Sequence, residues 1–509
     1  MVAGPGAVGS VCGLFALHRL AGMPDVAEAE PDPRRWLSLL TCCSALFMTL
    51  LDVSVTNVAL PSIGRATGAA PSQLQWVVSG YTLAFGLVPV LAGRLGDDHG
   101  RRLMFQVGVG SFTATSILAG LSPSVGVLIG ARVLQGLAGG LINPQVSGLV
   151  QQLFAGSERG RAFGVLGTTV GVGTALGPLI GGGLIALGGP HEGWRLVFFV
   201  NVPVGVAVIL LARRLLPPDP ALGRHRLDTL GAGLLGAATF CVLFGFVQYD
   251  AARDGHLAWL GVPALVMLAL FVRRERRLTR LQQDPLIDLR LFRVPSYTAG
   301  VVLALAFFPA MAGLPLVLAL YYQQGLGYTA LESGLAVTSY AVGSALAAAV
   351  AGRVVTRVGR PLVVAATLTF GVGALVLALQ VGHAPKAGVA LALAPALFIM
   401  GVGSGAIITP NQALTLMEVD PVAGSTAGGV LQTAQRIGLA VGQAVIGAVF
   451  FISLGAGGTT ATRYGDALRT ATIVTLGFVA VAAAVGFADL LRTRHRVRTD
   501  TQRAPLTGP

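Results

Sequence analysis

From Trp36 to Leu490 the sequence repeats one pattern fourteen times: an apolar run of spanning length, then a short loop that collects the charges. The runs fall at about 36–58, 74–93, 103–122, 125–146, 162–187, 194–212, 229–249, 257–272, 297–322, 331–352, 361–381, 388–410, 427–452 and 468–490. Inside hydrocarbon a backbone N–H or C=O finds no water, so every such run has to satisfy its own hydrogen bonds as a helix. An all-α polytopic membrane protein is therefore expected. The composition agrees, with 54% hydrophobic and 11% charged residues and a mean hydropathy of +0.74.

The charges orient the chain. With the N-terminus inside, 26 of the 35 Lys and Arg residues fall in inside loops and six outside. This positive-inside bias puts both termini in the cytoplasm. The net charge of +13 is thus topological, and no nucleic-acid partner is expected. Four cysteines, with Cys42 and Cys43 adjacent in an apolar run, read as small apolar residues rather than a disulfide or metal framework.

The two longest inside loops, 213–228 and 273–296, isolate a pair of helices between two sets of six. The expected organisation is a disordered leader over 1–35, with Met1 or Met23 as the start, and a six-helix half over 36–212. A linker with two extra transmembrane helices over 213–296, a second half over 297–490 and a basic cytoplasmic tail over 491–509 follow. The halves repeat. GVLGTTVGVGTALGPLIGG, starting at Gly164, aligns with GVLQTAQRIGLAVGQAVIG, starting at Gly429, with eight identities. Two further segments align at nearly the same offset, which argues for duplication.

The copies differ where it matters. The first carries seven glycines and a proline without a charge, a composition an ordinary helix avoids. At 100° per residue, Gly164, Gly167 and Gly171 share one face, and Gly173, Gly177 and Gly181 share a roughly opposite one. Pro178 removes an N–H and should bend the helix. Two readings stand: a packing helix smooth on both sides, or a kinked helix at a moving interface. In the second copy Gly171 becomes Arg436 and Pro178 becomes Gln443.

Asp52 lies deep in the first run, roughly 24 Å from its cytoplasmic end, and Arg132 lies roughly 10 Å from the outer end of the fourth. Their depths agree, so they form either a proton-sensitive pair or a static ion pair joining helices. GRLGDDHGRR, Gly93 to Arg102, joins the second and third runs. There Gly93 and Gly100 allow a tight turn, Asp97 can accept backbone N–H at the next helix start, and Arg101 and Arg102 can anchor to the inner leaflet. Tyr81, Asn201, Gln432 and Arg436 are the candidate polar residues of a cavity. Fixed pairing of Arg436 with Asp52 or a helix end is the competing reading.

These stretches resemble the major facilitator superfamily, and within it the fourteen-helix drug:proton antiporters. Gly173, Gly177, Pro178, Gly181 and Gly182 match the antiporter motif of the exporters' fifth helix. LDVSVTNVALP around Asp52 resembles their first-helix signature, RVLQG from Arg132 their fourth-helix motif, and GWRLVFFVNVPVG their sixth-helix start. GRLGDDHGRR resembles the cytoplasmic loop motif, departing at Asp98, where a base is usual.

The resemblance implies a major facilitator fold, two six-helix halves plus two central extra helices. It implies a proton-coupled exporter of amphiphilic small molecules such as antibiotics, working by alternating access in the bacterial cytoplasmic membrane. Asp52 and Arg132 would couple protons, and Gly93, Asp97, Gly100 and Arg101 would form a cytoplasmic latch. The proton gradient would be the driving force, with no cofactor, and a monomer is expected. A facilitator-type importer or exporter of a metabolite is the alternative. A polytopic enzyme is a more distant one, since the chain lacks paired acids, H-E-x-x-H and a phosphate loop at a membrane face.

Overall fold

The computed structural model describes residues 33–218, 228–252, 259–281, 283–381, 388–455 and 460–503, and among them every regular element is helical. The first half of the chain runs through α1 (Arg35–Thr67), α2 (Pro71–Leu87), α3 (Pro89–His99), α4 (Arg101–Gly120), α5 (Val125–Leu153), α6 (Gly156–Phe199) and α7 (Asn201–Leu215). Then come α8 (Thr229–Ala252) and α9 (Gly261–Arg280). The rest comprises α10 (Pro295–Leu320), the short α11 (Ala330–Ala336), α12 (Thr338–Val358), α13 (Arg360–Gln380), α14 (Val389–Leu416), α15 (Gly424–Leu454) and α16 (Ala461–Arg503).

Proline and glycine set the breaks. Pro89 cannot donate to the helix before it, and α2 and α3 meet there at 47°. GRLGDDH is helical to His99, so Gly93 sits inside α3, and Gly100 alone, at φ 103°, makes the turn into α4. This corrects the expectation that Gly93 and Gly100 shape a turn together. The expected fifth and sixth runs meet without a loop, separated only by Gly189 at φ 77°. The last helix continues to Arg503, past the expected end at 490.

Ten helices among the described residues are long and apolar enough to cross a membrane, or eleven if α2 and α3 form one bent span. The other expected runs are helical but shorter or interrupted. The run through Gly164–Gly182 gives a separate apolar helix over Leu179–Gly189, and the run at 229–249 gives one over Thr229–Gly245. The run at 257–272 forms α9, which ends in the basic Arg273–Arg280.

Two seams join the halves. Along one, α6 lies between α1 and α12; along the other, α15 packs on α3 and α5. The hairpin of α8 and α9 flanks the second seam, with α8 against α15 and α2 and α9 against α8.

Candidate functional site

The glycine faces of α6 do what their spacing predicts. On one face, a Cβ at Gly164 would lie 3.0 Å from the Cα of Gly352, and one at Gly171 would lie 2.8 Å from the Cβ of Ala345, both on α12. On the other, a Cβ at Gly173 would lie 3.2 Å from that of Leu50, and one at Gly181 would lie 2.9 Å from Val55 Cγ1. Gly177 faces Ser54 so closely that any side chain would collide with it. α6 therefore touches its own half through one glycine face and the other half through the second. Gly182 differs: a Cβ there would meet nothing within 4 Å. The side chain of Pro178 lies outside the described residues.

Asp52 and Arg132 meet inside the first half, 0% and 1% exposed, with Arg132 Nη1 donating to Asp52 Oδ2 at 2.5 Å. The acid is held on its other side as well. Gln135 Nε2 donates to Asp52 Oδ1 at 2.9 Å and Asn201 Nδ2 donates to it at 2.8 Å. Gln135 Nε2 and Asn201 Nδ2 also reach Ser116 Oγ, at 2.6 and 3.2 Å. Arg132 gives its Nε to the carbonyl of Val77 at 3.2 Å and covers the Tyr81 ring at 4.3 Å. Five helices thus converge on one buried carboxylate.

Asn201, expected in a cavity, belongs to this network instead, because as the first residue of α7 it points at α1 and α4. Tyr81 is likewise packed, 2% exposed under Arg132, and its hydroxyl has no hydrogen-bond partner among the described residues. Gln135 and Ser116 were not singled out by sequence. Gln135 lies one turn beyond Arg132 within RVLQG, and that spacing was the available signal.

At the end of α3, Asp97 accepts from Arg101 and from two residues at the start of α15. Arg101 Nη2 reaches Oδ1 at 2.9 Å, Ser425 N–H reaches Oδ1 at 3.2 Å, and Thr426 N–H and Oγ1 both reach Oδ2 at 2.8 Å. The helix start that Asp97 caps is thus α15, in the other half, rather than the adjacent α4. Arg101 also donates to the carbonyls of Gly148, Pro421 and Val422, and is 7% exposed. It bridges the halves and does not anchor to lipid. Gly93 carries no side chain because the backbone of Ser425 and Thr426 lies against it. Asp98, at the departure from the usual motif, pairs with Arg94 of its own helix at 3.0 Å.

Across the second seam, Gln432 Nε2 donates to Ser147 Oγ at 3.4 Å. Arg436 stands apart. Its guanidinium rests 3.9 Å from the centroid of Phe85 and lines a cavity with Gln75, Ser79 and Thr82 of α2, Leu243 of α8 and Gln443. Asp52 is taken by Arg132, and no carboxylate among the described residues pairs with Arg436.

A sequence profile described as Major Facilitator Superfamily matches residues 42–443 and 299–507. The chain is 37% identical over 448 residues to a probable actinorhodin transporter of Streptomyces coelicolor, covering 87% of this chain and 77% of that one. It is 34% identical over 433 residues to a tetracenomycin C resistance and export protein of Streptomyces glaucescens, covering 83% and 77%. The structure superposes on that of the human organic anion transporter MFSD10 with a TM-score of 0.63 at 16% identity, over 88% of this chain and 99% of that one.

Proposed function

Because this chain belongs to the Major Facilitator Superfamily, and is a multi-pass membrane transporter rather than an enzyme, we propose that it is a fourteen-helix drug:proton antiporter. On this reading it exports amphiphilic small molecules such as antibiotics across the bacterial cytoplasmic membrane, with both termini inside, as a monomer. The proton gradient drives it without a cofactor.

The observation that carries the proposal is the Asp52 carboxylate, fully buried and held by Arg132, Gln135 and Asn201. A protonated Asp52 would weaken the hold on all three donors at once, and these sit on α5 and α7 while Asp52 sits on α1. A proton therefore loosens the bundle in a way that helix motion can use. The name of the Streptomyces glaucescens relative supports export as the direction and an antibiotic as the cargo. The closed contact of Asp97 and Arg101 with α15 supports a state sealed on the cytoplasmic side.

Alternating access then needs a hinge and a latch. α6, smooth on both faces, supplies the hinge between α1 and α12, and Gly93, Asp97, Gly100 and Arg101 supply the latch. Everted vesicles with an acidified interior test the whole reading. Adding an exported antibiotic should dissipate the pH difference in wild type and not in Asp52→Asn. Dissipation retained in Asp52→Asn removes Asp52 as the proton carrier. A folded wild-type protein that responds to no compound of a broad panel, and accumulates solute inward instead, overturns export.

A further inference from the structure

We propose that Arg436 is the receptor for an acidic group of the transported molecule, so that the substrate class is an amphiphilic organic anion. The inference rests on the export reading and adds the chemistry of the cargo.

Arg436 lies twelve residues into α15, about 18 Å from its cytoplasmic end, near the middle of a bilayer. A cation at that depth is costly unless a counter-charge or water attends it. The first half meets that requirement for Arg132 with Asp52. In the second half no carboxylate among the described residues pairs with Arg436, whose guanidinium rests on the face of Phe85 at 3.9 Å. An aromatic face compensates a cation in part and leaves the N–H donors of the fork unused. Those donors open on a cavity of about 70 Å³, room for a carboxylate or sulfonate head and little more. Gln75, Ser79, Thr82 and Gln443 add neutral donors around it and no acid.

The body of the molecule has its own place. Beside the head cavity, and sharing Ala444 with it, an apolar pocket of about 690 Å³ runs between α8, α9 and α15. Val242, Ala264, Leu268, Val445 and Ala448 are among its walls. One small cationic cavity beside one large apolar pocket, with Ala444 in the wall of both, suits an amphiphile with an acidic end. It also gives the α8–α9 hairpin a task, since without it the apolar pocket has no outer wall.

The test uses the full chain in phosphatidylcholine nanodiscs, near neutral pH, with fluorescein as the anionic probe. A rhodamine ester built on the same xanthene ring serves as the cationic one. Fluorescence anisotropy should show fluorescein binding that falls at least about tenfold in Arg436→Gln and is largely kept in Arg436→Lys. Rhodamine binding should be equal or tighter in Arg436→Gln. Gln443→Glu places a counter-charge in the cavity with Arg436 intact, so it should reproduce the fluorescein loss even if Arg436→Gln folds poorly.

Fluorescein affinity unchanged in both Arg436→Gln and Gln443→Glu overturns the proposal, as does a wild type that prefers the rhodamine or binds no fluorescein. Added phosphatidylglycerol that displaces fluorescein from wild type would make the bound anion a lipid headgroup, and this too overturns the substrate assignment. Binding needs no gradient, so fluorescein held normally by Asp52→Asn while vesicle exchange fails separates this site from proton coupling.

Discussion

Asp97 of α3 and Thr426 of α15, 329 residues apart, are joined twice, the Thr426 backbone N–H and hydroxyl each donating to Asp97 Oδ2 at 2.8 Å. Arg101 closes the same contact through the carbonyls of Pro421 and Val422. Asp97→Ala removes a buried acceptor of several donors and takes the counter-charge from Arg101, a loss of roughly 3 kcal/mol from the closed state. The ratio of closed to open should then fall about a hundredfold. Alkylation of Gln412→Cys, placed where Gln412 now donates to Ser147 at 3.2 Å, should speed up accordingly. An unchanged rate would remove the latch role.

The α6–α12 seam should tolerate no side chain where Gly164 and Gly352 meet. Gly352→Ala would drive a methyl onto the Cα of Gly164, and backbone on both sides leaves nothing flexible to give way. Transport should drop at least about tenfold, with a melting temperature lowered by the cost of overpacking, roughly 1–3 kcal/mol. Gly182→Ala has open space around it and should melt as wild type does. Equal behaviour of the two variants would mean that the seam is not held by close backbone approach.

Reading the sequence goes as far as local rules reach. The opposed glycine faces of α6 follow from 100° spacing alone, and the Asp52–Arg132 pair follows from matched depth. The polar shell of that pair does not, because Gln135, Ser116 and Asn201 are neutral residues whose convergence depends on how three other helices pack around α1. The partner of Asp97 is farther still from local spacing, since a capping acid gives no sign of whether the helix start it meets is adjacent or in the other half. Arg436 could be placed at mid-membrane from sequence, but its isolation depends on Asp52 being occupied elsewhere. The fourteen runs were legible as apolar, whereas prolines, glycines and the charges ending α9 decide which of them form long uninterrupted helices.

The Asp52 network should behave as a neutralised charge pair in stability and as a unit in transport. Asp52→Asn leaves Arg132 buried without a counter-charge, which should cost about 3–5 kcal/mol. Adding Arg132→Gln removes the stranded charge, so the double variant should recover most of the lost melting temperature in detergent. Its proton exchange should stay absent, because neither partner can then change charge. A stability loss in the double variant equal to the sum of the two single losses would show that the residues do not interact, and recovered exchange in the double variant would show that the pair is structural.

The base of the extra hairpin should be sensitive to pH through Glu275. This residue lies beyond the apolar part of α9, fully buried, and accepts the N–H of Ile287 at 3.1 Å, while its neighbour Arg274 pairs with Asp228 at 2.7 Å. Burial pushes its carboxyl up from 4.5 to about 7 against the pull of the Ile287 and Leu286 N–H groups, and the like charge of Asp228 adds to the rise while Arg274 opposes it. The folded chain therefore binds more protons than the unfolded chain between pH 4.5 and about 7. Stability from the neutral form is whole below that window and is lost as pH rises through it. Glu275→Gln keeps the neutral form at every pH. Its melting temperature should match wild type near the bottom of the window and exceed it above the top, by the equivalent of up to about 3 kcal/mol. A gap that is constant across the window would place the carboxyl at its ordinary value and leave the hairpin insensitive to pH over that range.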